Sequence, residues 1–182
     1  MVGTVLALGA LALTWLALAR SARDGLSVTW AGSLSCTGTR MLAEPGETSA
    51  GAVLQPSMRC TLPVRIVNQG WLPLSESAVL VPALGPLGTA AVQVAQLQGR
   101  TAVADPQDAG TAVFDRRRTI RPGHADRFAL EFTYRPGGCT APGVFAVTDL
   151  PQVRVSAFGL SGLRASARPV VFQGTVASGC RR

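Results

Sequence analysis

Apolar and polar positions divide the 182-residue chain into two unequal parts. Residues 2–19 carry no charge, are dominated by Leu, Ala and Val, and lead into Arg20 and Arg23. As a helix this stretch would rise about 27 Å at ~1.5 Å per residue, close to the ~30 Å hydrocarbon core of a bilayer. A buried helix of a soluble domain is disfavoured as a reading, because the segment has no polar face. Beyond Asp24 the period shortens to two. Phe128, Leu130, Phe132 and Tyr134 fall on one side of a strand, with Ala129, Glu131, Thr133 and Arg135 on the other. Leu62, Val64 and Ile66 alternate with Pro63, Arg65 and Val67, and Pro63 predicts an edge strand or a strand start. Further strands are expected at 27–35, 78–82, 90–96, 152–158 and 163–172. Turns are expected at Asn68-Gln69-Gly70, Gly85-Pro86, Pro122-Gly123 and Pro136-Gly137-Gly138. The fold class is therefore all-β, an antiparallel β-sandwich of about seven strands over residues 24–182. One N-terminal apolar transmembrane helix, residues 1–23, precedes it.

Two fates fit the apolar segment. Its length and Trp15, placed for headgroup depth near the charged end, favour a retained single-pass anchor. A cleaved signal peptide is the rival, because Ala17-Leu18-Ala19 forms an A-x-A pattern; against it, no Lys or Arg precedes the segment. Orientation brings a conflict. Arg20 and Arg23 would hold their flank in the cytoplasm, whereas four cysteines beyond the segment ask for an oxidising compartment. The cysteines decide the expectation, a cell-membrane protein whose C-terminal domain is extracytoplasmic. Cys36, Cys60, Cys139 and Cys180 contain no C-x-x-C pair and the chain has a single His, which disfavours zinc. Buried free thiols are the other alternative. Of the three connectivities, Cys36–Cys60 with Cys139–Cys180 is favoured, each pair closing one end of a sheet.

Composition changes how the charge is read. Charged residues make up only 15% of the chain, which excludes a charge-rich coiled coil or a disordered polyelectrolyte. All 17 basic residues are Arg, and Asn and Tyr occur once each. That bias follows GC-rich codons, as in many bacterial genomes. The net charge of +7 would ordinarily suggest an anionic partner. Here part of the surplus is codon usage, so nucleic acid is not expected as a partner.

Candidate chemistry is sparse. The single histidine, His124, stands in Arg121-Pro122-Gly123-His124-Ala125-Asp126, a turn before a strand, with no evident partner to orient it. Glu131 is expected to face solvent, and Asp105-Pro106-Gln107-Asp108 reads as an ordinary turn rather than a calcium cage. No nucleophile elbow, phosphate loop or H-E-x-x-H pair is present, and neither metal nor cofactor is expected. A hydrolase using these carboxylates or His124 is the weakest reading. The densest cluster is Asp115-Arg116-Arg117-Arg118 with Arg121. In an extended segment Arg116 and Arg118 would share a face while Arg117 points away. Arg116, Arg117, Arg118 and Arg121 are thus the candidate contacts for an anion or partner, through guanidinium groups suited to phosphate or carboxylate. The bland alternative is a solvated hairpin. Leu84-Gly85-Pro86-Leu87-Gly88 and Leu160-Ser161-Gly162-Leu163 could form an apolar patch if they gather at one end of the sandwich.

The strand from Cys60 to Asn68, the Asn68-Gln69-Gly70 turn, and Ile120-Arg121-Pro122-Gly123 leading into Phe128-x-Leu130-x-Phe132 resemble bacterial immunoglobulin-like envelope modules. The chain is also similar to small membrane-anchored β proteins of GC-rich Gram-positive bacteria. The tryptophan that packs on the inter-sheet disulfide of antibody domains has no clear counterpart, although Trp30 or Trp71 could fill such a core. The resemblance implies a sandwich without an assigned activity. The expected function is a non-catalytic accessory or scaffolding module of the cell envelope, held to the membrane by its helix and partnered by another envelope or membrane protein. The first alternative is a secreted binding module for a lipid headgroup or wall polymer.

Overall fold

The computed structural model describes residues 2–42 and 51–175, with side chains from Leu8 onward. A helix, α1 (Val2–Asp24), passes through Gly25 into β1 (Leu26–Trp30). Then follow β2 (Ser35–Thr37), β3 (Met41–Leu42), β4 (Gly51–Val53), β5 (Arg59–Asn68), β6 (Leu74–Val81), β7 (Val92–Leu97), β8 (Arg100–Thr101) and β9 (Val103–Ala104). The rest of the chain forms β10 (Ala112–Ile120), β11 (Ala125–Tyr134), β12 (Gly143–Val147), β13 (Gln152–Ala157), β14 (Leu160–Ala165) and β15 (Val170–Gly174). One sheet has the order β1-β5-β11-β7-β8, with β2 also on β5; the second is β14-β13-β6-β10-β9; a small third sheet is β12-β15-β4-β3. Pairing is antiparallel except between β15 and β4.

The alternation read from sequence is the alternation of burial. Leu62, Val64, Ile66, Phe128, Leu130 and Phe132 turn inward and join Val79, Phe114, Val153 and Phe172 in a single core. The small sheet closes that core through Phe172, whose ring lies 6.1 Å from Phe132 and 5.8 Å from Phe145. Cys36 and Cys60 are directly opposed on β2 and β5 and form a disulfide within one sheet. Cys139 is also disulfide-bonded; Cys180, its expected partner, lies outside the described residues.

Several expectations are corrected. β5 is internal, not an edge strand. Pro63 is tolerated there because β1 ends opposite Val64 and β2 starts opposite Thr61, so the missing N–H falls at a gap between two partners. The strand expected at 163–172 is two strands in different sheets, and the Arg-rich segment is a full strand, β10. Trp30 packs against the core while Trp71 is 58% exposed. The two apolar loops do not gather: Leu84 lies beyond the Val81 end of β6, and Leu160 lies near the Leu74 end. The transmembrane expectation stands apart from these corrections: α1 is described with side chains only over 8–24, and among the described residues no helix is long and apolar enough to cross a membrane.

Candidate functional site

The Arg-rich strand does something its sequence pattern did not announce. Asp115 pairs with Ala78 but Arg118 pairs with Glu76, so two residues of β10 oppose one of β6. Arg116 keeps the inward alternation of Ala112 and Phe114 and is buried, whereas Arg117, Arg118 and Thr119 at and beyond the bulge stay exposed. Arg116 spans the two sheets. Its Nε lies 3.5 Å from Glu76 Oε1 on its own sheet, and its Nη2 is 2.5 Å from Asp126 Oδ2 on the other. The guanidinium also sits 4.6 Å above the Phe128 ring. Arg118 completes the group from the rim, 3.4 Å from Asp126 Oδ1. Arg116 is therefore an internal tie, and any external contact passes to Arg117, Arg118 and Arg121.

Glu76 is fully withdrawn from solvent and neither carboxyl oxygen has a hydrogen-bond donor among the described residues. Burial pushes its pKa up to about 7; Arg116 opposes the rise, Asp126 adds to it and Arg118 opposes it. One buried guanidinium thus faces two carboxyl groups, and the better-solvated Asp126 holds the closer contact.

Beside this network, Asn68 binds three segments together. Buried at the end of β5, it donates from Nδ2 to the carbonyls of Leu72 (2.7 Å) and Ile120 (2.9 Å), while its Oδ1 accepts the Gly70 N–H (3.0 Å). Its backbone N–H donates to the His124 carbonyl and its carbonyl accepts the Gly123 N–H. The expected Asn-Gln-Gly turn is present, and the same side chain locks the 121–124 turn and the 69–73 loop side by side. Sequence marked Asn68 as a turn residue; its second role depends on Ile120, 52 positions away. Glu76 was missed outright, because its strand was expected to start only at residue 78.

The outer rim of this region is a cavity of about 370 Å³ lined by Arg118, Arg121, His124 and Asp126. His124 and Asp126 do meet there, but not as an acid–base pair. Asp126 accepts from Arg116, Arg118 and the Arg127 N–H, and His124 Nδ1 lies 3.2 Å from the Pro122 carbonyl. The groove is thus a basic surface. Elsewhere, Asp105 and Asp108 cap turns by accepting the N–H groups of Gln107 and Gly110. No metal-holding cluster occurs among the described residues. Asp105 lines a second cavity of about 820 Å³ with Arg100, Asp115 and Arg154. Glu131 is half-buried on β11, opposite Thr61 and Gln96.

Compared with known proteins, the chain matches no family model and no curated protein. Among solved structures it is similar to a GH20 exo-β-N-acetylglucosaminidase of Vibrio harveyi in complex with N-acetylglucosamine. That match has 11% identity over 87% of this chain and 19% of that one, with a TM-score of 0.35. It is also similar to a β-glucosidase of Paenibacillus barengoltzii at 15% identity over 80% and 14% of the two chains, with a TM-score of 0.20. The chain spans less than a fifth of either protein, and likeness at this level carries no argument.

Proposed function

We propose that the chain is a membrane-anchored, extracytoplasmic, immunoglobulin-like β-sandwich that acts as a non-catalytic interaction or scaffolding module of a cell envelope. One observation carries this reading: an apolar helix is built, without a linker, into a domain stitched by a disulfide. Leu8, Leu11 and Leu13 are each more than 60% exposed, so this half of the helix has no apolar cover among the described residues. A bilayer would supply it. The last turn is different, because Ala19 and Ala22 are fully buried against the sandwich. Cleavage after Ala19 would cut inside that packing, which favours retention over the cleaved signal. Arg23 is tied to the Ser161 carbonyl and Arg164 to Asp24 and the Arg23 carbonyl. The flank thus offers Arg20 as its freely exposed charge, which weakens the pull toward the cytoplasm. The disulfide points to an oxidising environment.

The order of the central strands supports the immunoglobulin-like reading. β1-β5-β11 and β14-β13-β6 follow the A-B-E and G-F-C order of such sandwiches. β7 and β10 depart from it, since β7 joins the first sheet before β10 joins the second. Asp126 is engaged by Arg116, Arg118 and the Arg127 N–H, and among the described residues His124 has no carboxylate hydrogen-bonded to it. The exposed Arg118 and Arg121 favour a second reading, a binding module for an anionic envelope ligand.

Fractionation tests the proposal. The full chain should stay with membranes through alkaline extraction, keep residues upstream of Arg20, and lose its sandwich to protease added outside spheroplasts. Release into the medium with Arg20 as the new N-terminus would refute the anchor, and protection from external protease would refute the orientation.

A further inference from the structure

Strand register fixes which loops share an end with the helix. Leu26 pairs with Asn68 and Ala125 with Val67 in one sheet; Leu74 pairs with Ile120 and Ser75 with Ser156 in the other. The 69–73 loop, the 121–124 turn and the β13–β14 hairpin tip at Phe158 and Gly159 therefore gather at one end of the sandwich. The helix joins at that end, where the Gly25 carbonyl accepts the Gln69 N–H. Two large apolar side chains stand exposed on these loops, Trp71 at 58% and Phe158 at 47%. Phe158 is held at φ 51°, a conformation a bulky residue rarely adopts. The basic groove lies at the same end beside β10 and β11, with the 69–73 loop between it and the hairpin tip. The Arg118 side chain is 59% exposed, and Arg121 is exposed and in no ion pair among the described residues.

We propose that this end of the sandwich rests on the bilayer that α1 enters, with Trp71 and Phe158 at headgroup depth and Arg118 and Arg121 bound to anionic phospholipid headgroups. The inference rests on the anchoring reading above. One residue, Gly25, separates helix from strand, a reach of about 3.5 Å, so these loops cannot withdraw from the interface while the last turn stays packed. The indole of Trp71, an aromatic ring with a polar edge, favours the headgroup layer, and the apolar Phe158 ring adds buried area beside it. A guanidinium near an anionic leaflet is attracted to it, and salt screens the attraction. The occupant follows from continuity with the apolar helix and from the sign of the charge.

Reconstitution of the full chain into vesicles decides it. Tryptophan emission is read with brominated lipids, in phosphatidylcholine alone and in an equimolar mixture with phosphatidylglycerol. Trp15 reports the helix, so quenching lost in Trp15→Phe measures anchoring, and quenching lost in Trp71→Phe measures the contact proposed here. The Trp71 component should be present in the mixture and about twofold weaker in phosphatidylcholine alone or in added salt. Arg118→Ser with Arg121→Ser should remove that difference while leaving the melting temperature unchanged. A Trp71→Phe variant quenched as strongly as the parent, with Trp15 still quenched, overturns the contact and leaves the anchor standing. Equal Trp71 quenching in both lipids overturns the headgroup assignment. An unquenched Trp15 overturns the anchoring reading itself.

Discussion

Glu76 is a carboxyl group carried inward by the alternation of β6, where Leu74 and Glu76 are buried and Ser75 and Ser77 exposed. On β10 the Arg116 guanidinium, inward like Ala112 and Phe114, is buried beside it. Its carboxyl stays protonated in the folded state between its ordinary value of 4.5 and about 7, where the unfolded chain has already released the proton. For a group whose folded pKa is raised in this way, folding is favoured below the unfolded value and loses stability as pH rises through the folded one. At about 1.4 kcal/mol for each tenfold change in proton affinity, the full loss is on the order of 3 to 4 kcal/mol. Glu76→Gln keeps the shape and removes the titration. Thermal melting should show the parent protein less stable near about pH 8 than near about pH 5, and the variant nearly level across that range. An identical slope in both proteins would exclude Glu76 as its source. None of this was legible in the sequence. A run of three arginines reads as a solvated face, and only the register across to β6, together with Asp126 on the facing sheet, reveals that one of them is interior.

At the scale of elements, strands whose inward residues are large and regular were legible, and those shaped by partners were not. β5 and β11 announce themselves through Leu62, Val64, Ile66, Phe128, Leu130 and Phe132. β12 and β4 do not, because Gly143, Gly51 and Ala52 give a short strand no periodicity to show. The Pro63 rule failed for a reason visible only in the sheet, a gap between two short partners. The cysteine spacing was informative because the reading needed only that each pair close a sheet, and Cys36–Cys60 does so with a sequence separation of 24. Closing a loop of that size restricts the unfolded chain by about 3 kcal/mol. Cys36→Ala with Cys60→Ala should therefore lower the denaturant midpoint by a corresponding amount while leaving the sheet signal in circular dichroism intact. A midpoint that does not move would mean the disulfide contributes no stability.

In the whole molecule, the helix and the sandwich act as one body, and this is the property least accessible to sequence reading. A boundary after residue 23 looks natural on charge alone, yet Ala19 and Ala22 are as deeply buried as any core residue. The junction depends on two glycines. A Cβ added at Gly25 would lie 2.6 Å from the Gly70 Cα and 2.7 Å from its nitrogen, both backbone atoms that no side-chain rotation can clear. Gly25→Ala must therefore push the last turn of α1 away from the 69–73 loop that Asn68 holds in place. Overpacking of this kind costs about 1–3 kcal/mol, which for a domain of this size lowers the melting temperature by roughly 2–10 °C. Gly9→Ala is the matched control, since nothing lies within 4 Å of a Cβ there. In detergent solution the control should melt like the parent or slightly higher, and Gly25→Ala should melt lower. Its Trp71 emission should also shift, because that side chain sits on the displaced loop. If Gly25→Ala melted with the control and left Trp71 unchanged, the helix would have to be joined to the sandwich by a free hinge, and the surface beneath it would have no fixed position relative to the bilayer.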